Sequence, residues 1–416
     1  MTIRMKISSF FRLTGCLLVL GLSSTQSAIG QITPMEALDN FNYYWLGANT
    51  QQEYANPELH ADGSIDIQDL TIIMNDSFGS GVSLIHMTEL TFSPVDPNTV
   101  RVSLPPKVLV SNPKLSNENP YEINVTEGSM LLNVVNSKGT TALRAENLAL
   151  EGDAGSLDLV LEDIDTLYSF DLMDLSRDVV NLSGQGTFNL GKMAASWQNY
   201  ETSTGPLSIE FAVTEQGVIL NSDFESIAVD IPNFSLIKAS RLMFGLNHNP
   251  FPSNRQTETT MELELQEFIS NDPFTQLLLL ANPQLPNFGE LSAELSLQTD
   301  PSFWNDAINQ EIQGENIALE SVIDLELFNL QIAILGGYYR ENENNENIRL
   351  QVVVDNLEEF LLTMQSSGLI DANELTGYQR LMQLLQSEQN GQHIFDIEIN
   401  EEEEFIINGV NMGTLS

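Results

Sequence analysis

Residues 261–266 read MELELQ, so that three apolar side chains alternate with three polar ones. Side chains on a β-strand point alternately to opposite faces of the sheet, and this stretch therefore predicts a strand with one apolar and one acidic face. The same period recurs in residues 100–104, 157–161, 209–213, 291–297 and 350–354. Strands with a single apolar face pair in antiparallel sheets. The sequence thus predicts an α+β protein that is predominantly antiparallel β, with long curved sheets and several short helices.

Short helices are predicted from their start signals. Residues 33–36 and 371–374 each spell a capping box, and Asp-Pro pairs at 272–273 and 300–301 place proline at a first helical position. Apolar residues at helical spacing follow: Leu38, Phe41 and Trp45 before Gly47; Leu357, Phe360, Leu361 and Met364 before Gly368; and Leu375, Tyr378, Met382 and Leu385.

Turn signals predict hairpins. The pairs Asp62-Gly63, Lys138-Gly139 and Asn408-Gly409 are typical of tight turns between strands. The last of these hairpins is preceded by another, in which residues 395–399 face residues 405–407. These signals support an architecture of many short connections between neighbouring strands.

The charge balance narrows the range of functions. The chain has 416 residues with 58 Asp and Glu against 16 Lys and Arg, which gives a net charge of −42. Nucleic acids and anionic membrane surfaces bind proteins through cations, so the charge argues against both as partners. The hydrophobic content of 42% is sufficient for a packed core.

A domain boundary is predicted at residues 246–257, which are rich in Asn and Pro. The prediction divides the mature chain into a β-rich N-terminal region, residues 31–250, and an α+β C-terminal region, residues 256–416. The second region holds 29 acidic residues and only three basic ones, which are Arg340, Arg349 and Arg380.

The first 30 residues are typical of a secretory signal peptide. Arg4, Lys6 and Arg12 precede an apolar run at residues 13–22, and a small-x-small site follows at residues 28–30. The run is too short to span a bilayer, and no later stretch reaches the necessary length, so a non-transmembrane, periplasmic or secreted protein is expected. Residues 13–16 spell a lipoprotein processing box, but the apolar run follows Cys16 instead of preceding it, which favours cleavage over lipidation.

Two acidic stretches are candidate cation sites. Residues 58–69 match half of a calcium-binding loop, with Gly63 at the sixth position, but Glu58 and His60 stand where short oxygen ligands belong. A hairpin that turns at Asp62-Gly63 is the favoured interpretation, with a β-bulge near Asp69 where the apolar alternation shifts. Residues 401–404, four consecutive Glu, are interpreted as a solvated turn.

No catalytic, cofactor-binding or metal-ligating residue is assigned. The four histidines, at positions 60, 86, 248 and 393, lack the spacing of a local metal pair. Ser111 and Ser235 each begin an S-x-x-K pattern without the companion motifs of serine acyl-transferases. Trp45, Trp197 and Trp304 are too few to indicate a sugar-binding cleft, and core packing is favoured for Trp45 and Trp304. The sequence leans towards a protein that is not an enzyme, with a hydrolase assembled from distant residues as a remaining alternative.

The order of the elements resembles a family of exported bacterial proteins, the domain of unknown function 2125. The residues that carry the resemblance are 33–45, 62–74, 90–92, 99–104, 301–306, 333–337, 354–357, 367–369 and 407–409. The resemblance implies an exported protein of the Gram-negative cell envelope and no established activity or site.

Two functional hypotheses follow. The leading one is a non-enzymatic periplasmic envelope protein whose amphipathic strands form a groove for lipid or another apolar ligand, with a filled, ligand-free core as the competing interpretation. The second is a structural or adhesive envelope protein whose acidic surface binds divalent cations or cationic partners.

Overall fold

The computed structural model describes residues 32–39, 41, 50–75, 82–111, 121–135, 138–151, 157–171, 184–197, 200–214, 217–231, 235–249, 257–270, 273–286, 288–299, 317–342, 345–385, 387–389, 392–400 and 404–414. These residues form 24 strands and four short helices, and the strand pairings are antiparallel. The predicted fold class is therefore confirmed. No helix among these residues is long and apolar enough to cross a membrane. The chain divides into two compact units, residues 1–215 and 216–416.

The described residues of the first unit form one helix and 13 strands. They are α1 (Pro34–Asp39), β1 (Thr50–Leu59), β2 (Ile65–Asn75), β3 (Val82–Asp96), β4 (Thr99–Ser103), β5 (Lys107–Ser111), β6 (Tyr121–Thr126), β7 (Ser129–Val135), β8 (Lys138–Glu151), β9 (Leu157–Asp171), β10 (Gly184–Leu190), β11 (Lys192–Trp197), β12 (Tyr200–Thr204) and β13 (Leu207–Thr214). The hairpin at Asp62-Gly63 is confirmed, because β1 pairs with β2 across it. The predicted Lys138-Gly139 turn is displaced: both residues already belong to β8, and Lys138 pairs with Val135.

In the first unit, long strands pair with two short strands placed end to end. β3 pairs with β4 and β5, β8 with β6 and β7, and β9 with β10 and β11. β2 has a bulge against β1 at Asp69, whose φ is 59°, and Asp163 of β9, where β10 gives way to β11, has a φ of 53°. The bulge in β2 shifts the apolar alternation by one residue, so that Ile67 and Leu70 are both fully buried. The predicted bulge near Asp69 is confirmed.

The core of the first unit is filled. Helix α1 packs on β3, and Phe41 lies edge-to-face on Phe92 with ring centroids 5.3 Å apart. The capping box is confirmed: the Glu36 backbone N–H donates to Thr33 Oγ1, and the Thr33 N–H donates to Glu36 Oε2. Trp45 and Gly47, predicted to complete this helix, lie outside the described residues, as do residues 300–306.

The second unit, where it is described, has 11 strands and three helices. They are β14 (Gly217–Ile231), β15 (Ser235–Asn249), β16 (Thr257–Ser270), α2 (Pro273–Ala281), β17 (Gly289–Thr299), β18 (Ile317–Leu327), β19 (Leu330–Asn342), β20 (Asn345–Asp355), α3 (Leu357–Ser366), α4 (Ala372–Leu385), β21 (Ser387–Gln389), β22 (Gln392–Ile399), β23 (Glu404–Ile407) and β24 (Val410–Thr414). Strands β14 to β20 pair in sequence order, β22 follows β20, and β23 and β24 complete the order.

The predicted local signals of the second unit agree with these elements. The Asp371 and Glu374 side chains form the predicted capping box of α4, and α3 ends before Gly368, whose φ is 72°. Asn408 and Gly409 both have positive φ, as a two-residue hairpin requires. The predicted boundary at residues 246–257 falls inside this unit, because β15 extends to Asn249 and pairs with β16.

Candidate apolar binding face

The register of the second unit aligns apolar side chains into one continuous surface. Strand pairings bring corresponding residues of β15 to β20 and β22 side by side, in four neighbouring rows. We call this surface the apolar face; its members are Leu242, Leu265, Leu291, Leu325, Ile332 and Val354; Phe244, Leu263, Ala293, Ile323, Ile334, Val352 and Phe395; Leu246, Met261, Leu295, Leu350 and Ile397; and Leu297, Leu319, Tyr338, Ile348 and Ile399. The alternation that predicted each strand thus also predicts the face, once the register is known.

The apolar face is only partly covered. Among the largest completely buried side chains of the described residues, eleven belong to the first unit and one, Leu278 of α2, to the second. Of the apolar face itself only Val354 is buried, at 7% exposure, and its other members remain partly accessible. A filled core leaves such side chains close to zero exposure, as the first unit shows. The second unit therefore presents apolar surface that its described residues do not fill.

The opposite side of the same strands is acidic; we call it the outer face. Glu262 lies directly opposite Glu294, and Glu290 lies opposite Glu326. Like charges in direct register repel each other across a strand pair. Apolar residues also occur there: the register partners Val322 and Leu335 are 42% and 39% exposed. The sheet consequently separates an apolar surface from a strongly negative one.

Two arginines offset part of this charge. Arg241 forms a two-pronged ion pair with Asp223, with a 2.8 Å bond from Nε to Oδ1, and holds the pKa of that carboxyl below its ordinary value. Arg349 lies 3.4 Å from Glu398. The remaining carboxylates of the described sheet greatly outnumber these cations.

Helices close one end of the apolar face. Leu278 of α2 is fully buried, Phe360 of α3 stacks on Phe328 with ring centroids 6.5 Å apart, and Leu375 of α4 is 7% exposed. Helix α3 contacts both α2 and α4. This end consequently holds most of the buried apolar side chains among the described residues of the unit.

Polar residues border the other end of the apolar face. Thr257 and Thr299 are almost fully buried, and their hydroxyl oxygens lie 2.7 Å apart. One row closer to the face, His248 Nδ1 lies 2.8 Å from Thr259 Oγ1, and burial lowers the pKa of this histidine. The face thus has an apolar end beneath the helices and a polar end at the threonines, whose row also contains Arg340.

Glycines allow the strands of the face to approach closely. A Cβ at Gly336 would lie 2.0 Å from the Arg349 carbonyl oxygen, and a Cβ at Gly337 would lie 1.9 Å from that of Leu319. Gly336 also has a φ of 133°, which other residues rarely adopt. The row of the apolar face that contains Gly336 and its register partner Ser321 therefore has a gap at these two positions.

The four histidines make separate local contacts. His60 Nε2 lies 2.7 Å from Asp66 Oδ2, and His86 Nδ1 lies 3.2 Å from Thr71 Oγ1. His248 and His393 occupy different rows of the second unit, and His393 is 7% exposed. No group of three potential metal ligands occurs within the described ranges.

The other candidates are similarly dispersed. Asp62 Oδ1 accepts hydrogen bonds from the Ser64 backbone N–H and hydroxyl, and Asp66 accepts one from the Thr91 hydroxyl. These carboxylates therefore stabilise the hairpin, which is the favoured interpretation of this stretch over a calcium-binding loop. Ser111 lies in β5, whereas Ser235 and Lys238 both lie in β15. Lys114, Trp304 and residues 401–403 fall outside the described ranges.

Sequence analysis missed the apolar face as a single surface. The signal was present in each strand, but pairing order and register decide whether apolar residues of separate strands meet. Comparison of the chain with protein-family models, curated proteins and solved structures finds no match.

Proposed function

We propose that the protein is a non-enzymatic, exported envelope protein that binds the hydrocarbon part of a lipid or similar apolar ligand on the apolar face. One observation carries the proposal: seven strands align their apolar side chains in register, and most of these side chains stay accessible to solvent. Contiguous apolar surface of this extent marks a binding site in soluble proteins.

The size of the apolar face suits an acyl chain. Seven strands spaced by ~4.8 Å give a width of roughly 30 Å, and four rows along the strands give a length of about 20 Å. The hydrocarbon core of a bilayer is about 30 Å thick, so a lipid chain of one leaflet extends about 15 Å. A chain of this length fits along the strands between the helical end and the threonine end.

A pair of matched double variants tests the proposal. Ile323 and Ile334 are register partners on the apolar face, and Val322 and Leu335 are register partners on the outer face of the same two strands. We expect I323T/I334T to weaken binding of the uncharged dye phenylnaphthylamine about tenfold, because less apolar surface is buried on binding. V322T/L335T should leave the affinity unchanged.

Three results would contradict this function. Absence of saturable dye binding by the mature protein would favour the filled-core interpretation. Equal losses in both double variants would show that binding does not use the apolar face. Purification without detergent should also recover lipid with the protein, and a lipid-free product that binds no dye overturns the proposal.

The proposed location depends on residues 1–30. Their order of basic, apolar and small residues and the resemblance to the domain of unknown function 2125 both support export to the periplasm or the medium. Mass spectrometry of the mature protein should find Gln31 at the N-terminus. A diacylated Cys16 would instead make the protein a lipoprotein.

The in-register carboxylates of the outer face favour a second candidate function, the binding of divalent cations by a structural envelope protein. Glu262 with Glu294 and Glu290 with Glu326 bring negative charges together. This function predicts that calcium raises Tm more than sodium chloride of equal ionic strength does. Equal increases would indicate only screening of surface charge.

A further inference from the structure

We infer that the apolar face selects lipids whose head groups carry no net negative charge. This inference rests on the proposed function and adds the class of ligand to it. Two features of the second unit support it: the charge of the outer face, and the register of Arg340, the cation described at the polar end of the apolar face, with the acidic Glu346.

The outer face produces a negative potential close to the ligand. Glu262, Glu294 and Glu320 are exposed on β16, β17 and β18, on the reverse side of strands that form the centre of the apolar face. The three basic residues within residues 256–416 cannot balance the 29 acidic ones. One of the three, Arg349, lies next to Glu398.

Only one layer of strands separates these carboxylates from the proposed ligand. Stacked layers in proteins lie roughly 10 Å apart, and the Debye length is about 10 Å at 0.1 M salt. The potential of the outer face therefore extends across the sheet, and the low dielectric of the sheet itself weakens it less than water would. An anionic head group is repelled, whereas the opposite charges of a zwitterionic one largely cancel.

The polar end of the apolar face offers uncharged hydrogen-bonding groups and one cation that has an acidic register partner. Thr257, Thr259 and Thr299 are uncharged, and burial keeps His248 towards its neutral form. Arg340 lies in the row of Thr299, because both residues pair with Ile317, and its register partner on β20 is the acidic Glu346. Anion-binding sites rely on unbalanced Arg or Lys, so this end does not favour a phosphate monoester or a carboxylate.

Competition between two lipids with the same acyl chains tests the inference. The mature protein is incubated with vesicles of equal parts dioleoyl phosphatidylcholine and dioleoyl phosphatidylglycerol, re-isolated, and examined for bound lipid by mass spectrometry. At ~0.01 M salt, where the Debye length is about 30 Å, we expect about tenfold more phosphatidylcholine than phosphatidylglycerol. At ~1 M salt, where it is about 3 Å, the ratio should approach one.

Matched variants separate the local field from the total charge. The variant E262Q/E294Q/E320Q should reduce the low-salt preference to about threefold or less. E89Q/E146Q/E210Q removes the same charge from exposed positions of the first unit and should retain the preference of the unmodified protein.

The possible outcomes distinguish the inference from the function on which it rests. Equal capture of both lipids at low salt, or a preference for phosphatidylglycerol, overturns the inference and leaves lipid binding intact. Equal effects of the two triple variants overturn the assignment to the outer face. Capture of neither lipid overturns the proposed function together with the inference.

Discussion

Asp69 shows how one residue can redirect a strand. It adopts a φ of 59° in the middle of β2, and the buried positions change from Ile65 and Ile67 before it to Leu70 and Ile72 after it. Without the extra residue, strict alternation would turn the second half of the strand towards solvent. Asp163, Ser226 and Glu267 have similar backbone conformations within β9, β14 and β16. The chain uses polar residues repeatedly for this purpose, since Asp tolerates the left-handed region better than β-branched residues do.

Substitutions at Asp69 should report on its backbone conformation. The side chain is 68% exposed, so lost packing contributes little. We expect Asp69→Val to lower the free energy of unfolding by about 1–2 kcal/mol, because a β-branched residue is strained at positive φ, and Asp69→Gly to change it by less than about 1 kcal/mol. Urea denaturation measures both, and Gln68→Val on the neighbouring exposed position is the control. Equal losses for the two valine variants would contradict the conformational explanation.

His60 should titrate above its ordinary value. The hydrogen bond to Asp66 is the main cause that raises its pKa, with smaller contributions from the charges of Asp66, Glu58 and Asp62. Because the folded pKa exceeds the unfolded one, this contact stabilises the fold fully below about pH 6.5 and is lost as the pH rises through the folded pKa. Histidine NMR titration should show the pKa falling in Asp66→Asn and much less in Glu58→Gln. An unchanged pKa in Asp66→Asn would refute the assignment.

The strands and helices differ in how readily they can be predicted. Strands such as β16 and β17 alternate so regularly that their sequence alone indicates both existence and apolar side. Capping boxes located the starts of α1 and α4 to the residue. Turns were less certain: Lys138-Gly139 suggested a turn, but tertiary pairing places both residues inside β8.

The pairing of β16 with β17 includes two carboxylates that repel each other, and a single substitution can remove this repulsion. Glu262 and Glu294 lie opposite each other on the exposed outer face. Glu294→Lys should raise the free energy of unfolding by about 0.5–1 kcal/mol, since it replaces a like-charge pair with an attractive one. Glu258→Lys makes the same change in net charge opposite Gln298 and should have a smaller effect. Denaturation at low and high salt measures both, and the difference between them should shrink as salt increases.

The register between strands could not be derived from the sequence. Each amphipathic strand can pair with any other at several offsets that keep its apolar side inward, and only the folded molecule selects one of them. The half-buried state of residues such as Phe244 and Ile334 was equally beyond prediction, because the same alternation is compatible with a filled core. The sequence therefore predicts the strands that make up the candidate site, but not the surface that these strands form together.

An accessible apolar face should alter the heat capacity of unfolding. Unfolding typically raises the heat capacity by about 12–15 cal/mol/K per residue through newly exposed apolar surface. The apolar face is already partly hydrated, so we expect the ligand-free protein to give a lower value per residue. Saturation with phosphatidylcholine should increase both this value and Tm. Differential scanning calorimetry compares the two states, and an ordinary value without ligand would indicate a filled core.

A sheet with one apolar and one acidic face also gives the excess of acidic residues a physical role. Two molecules that met through their apolar faces would bury them, and mutual repulsion between chains of charge −42 opposes such encounters. Near the isoelectric pH of about 4.1 this protection disappears. Light scattering should then detect reversible self-association of the ligand-free protein, and much less of it once lipid occupies the face. The acidity of this chain would in that case be its means of colloidal stability.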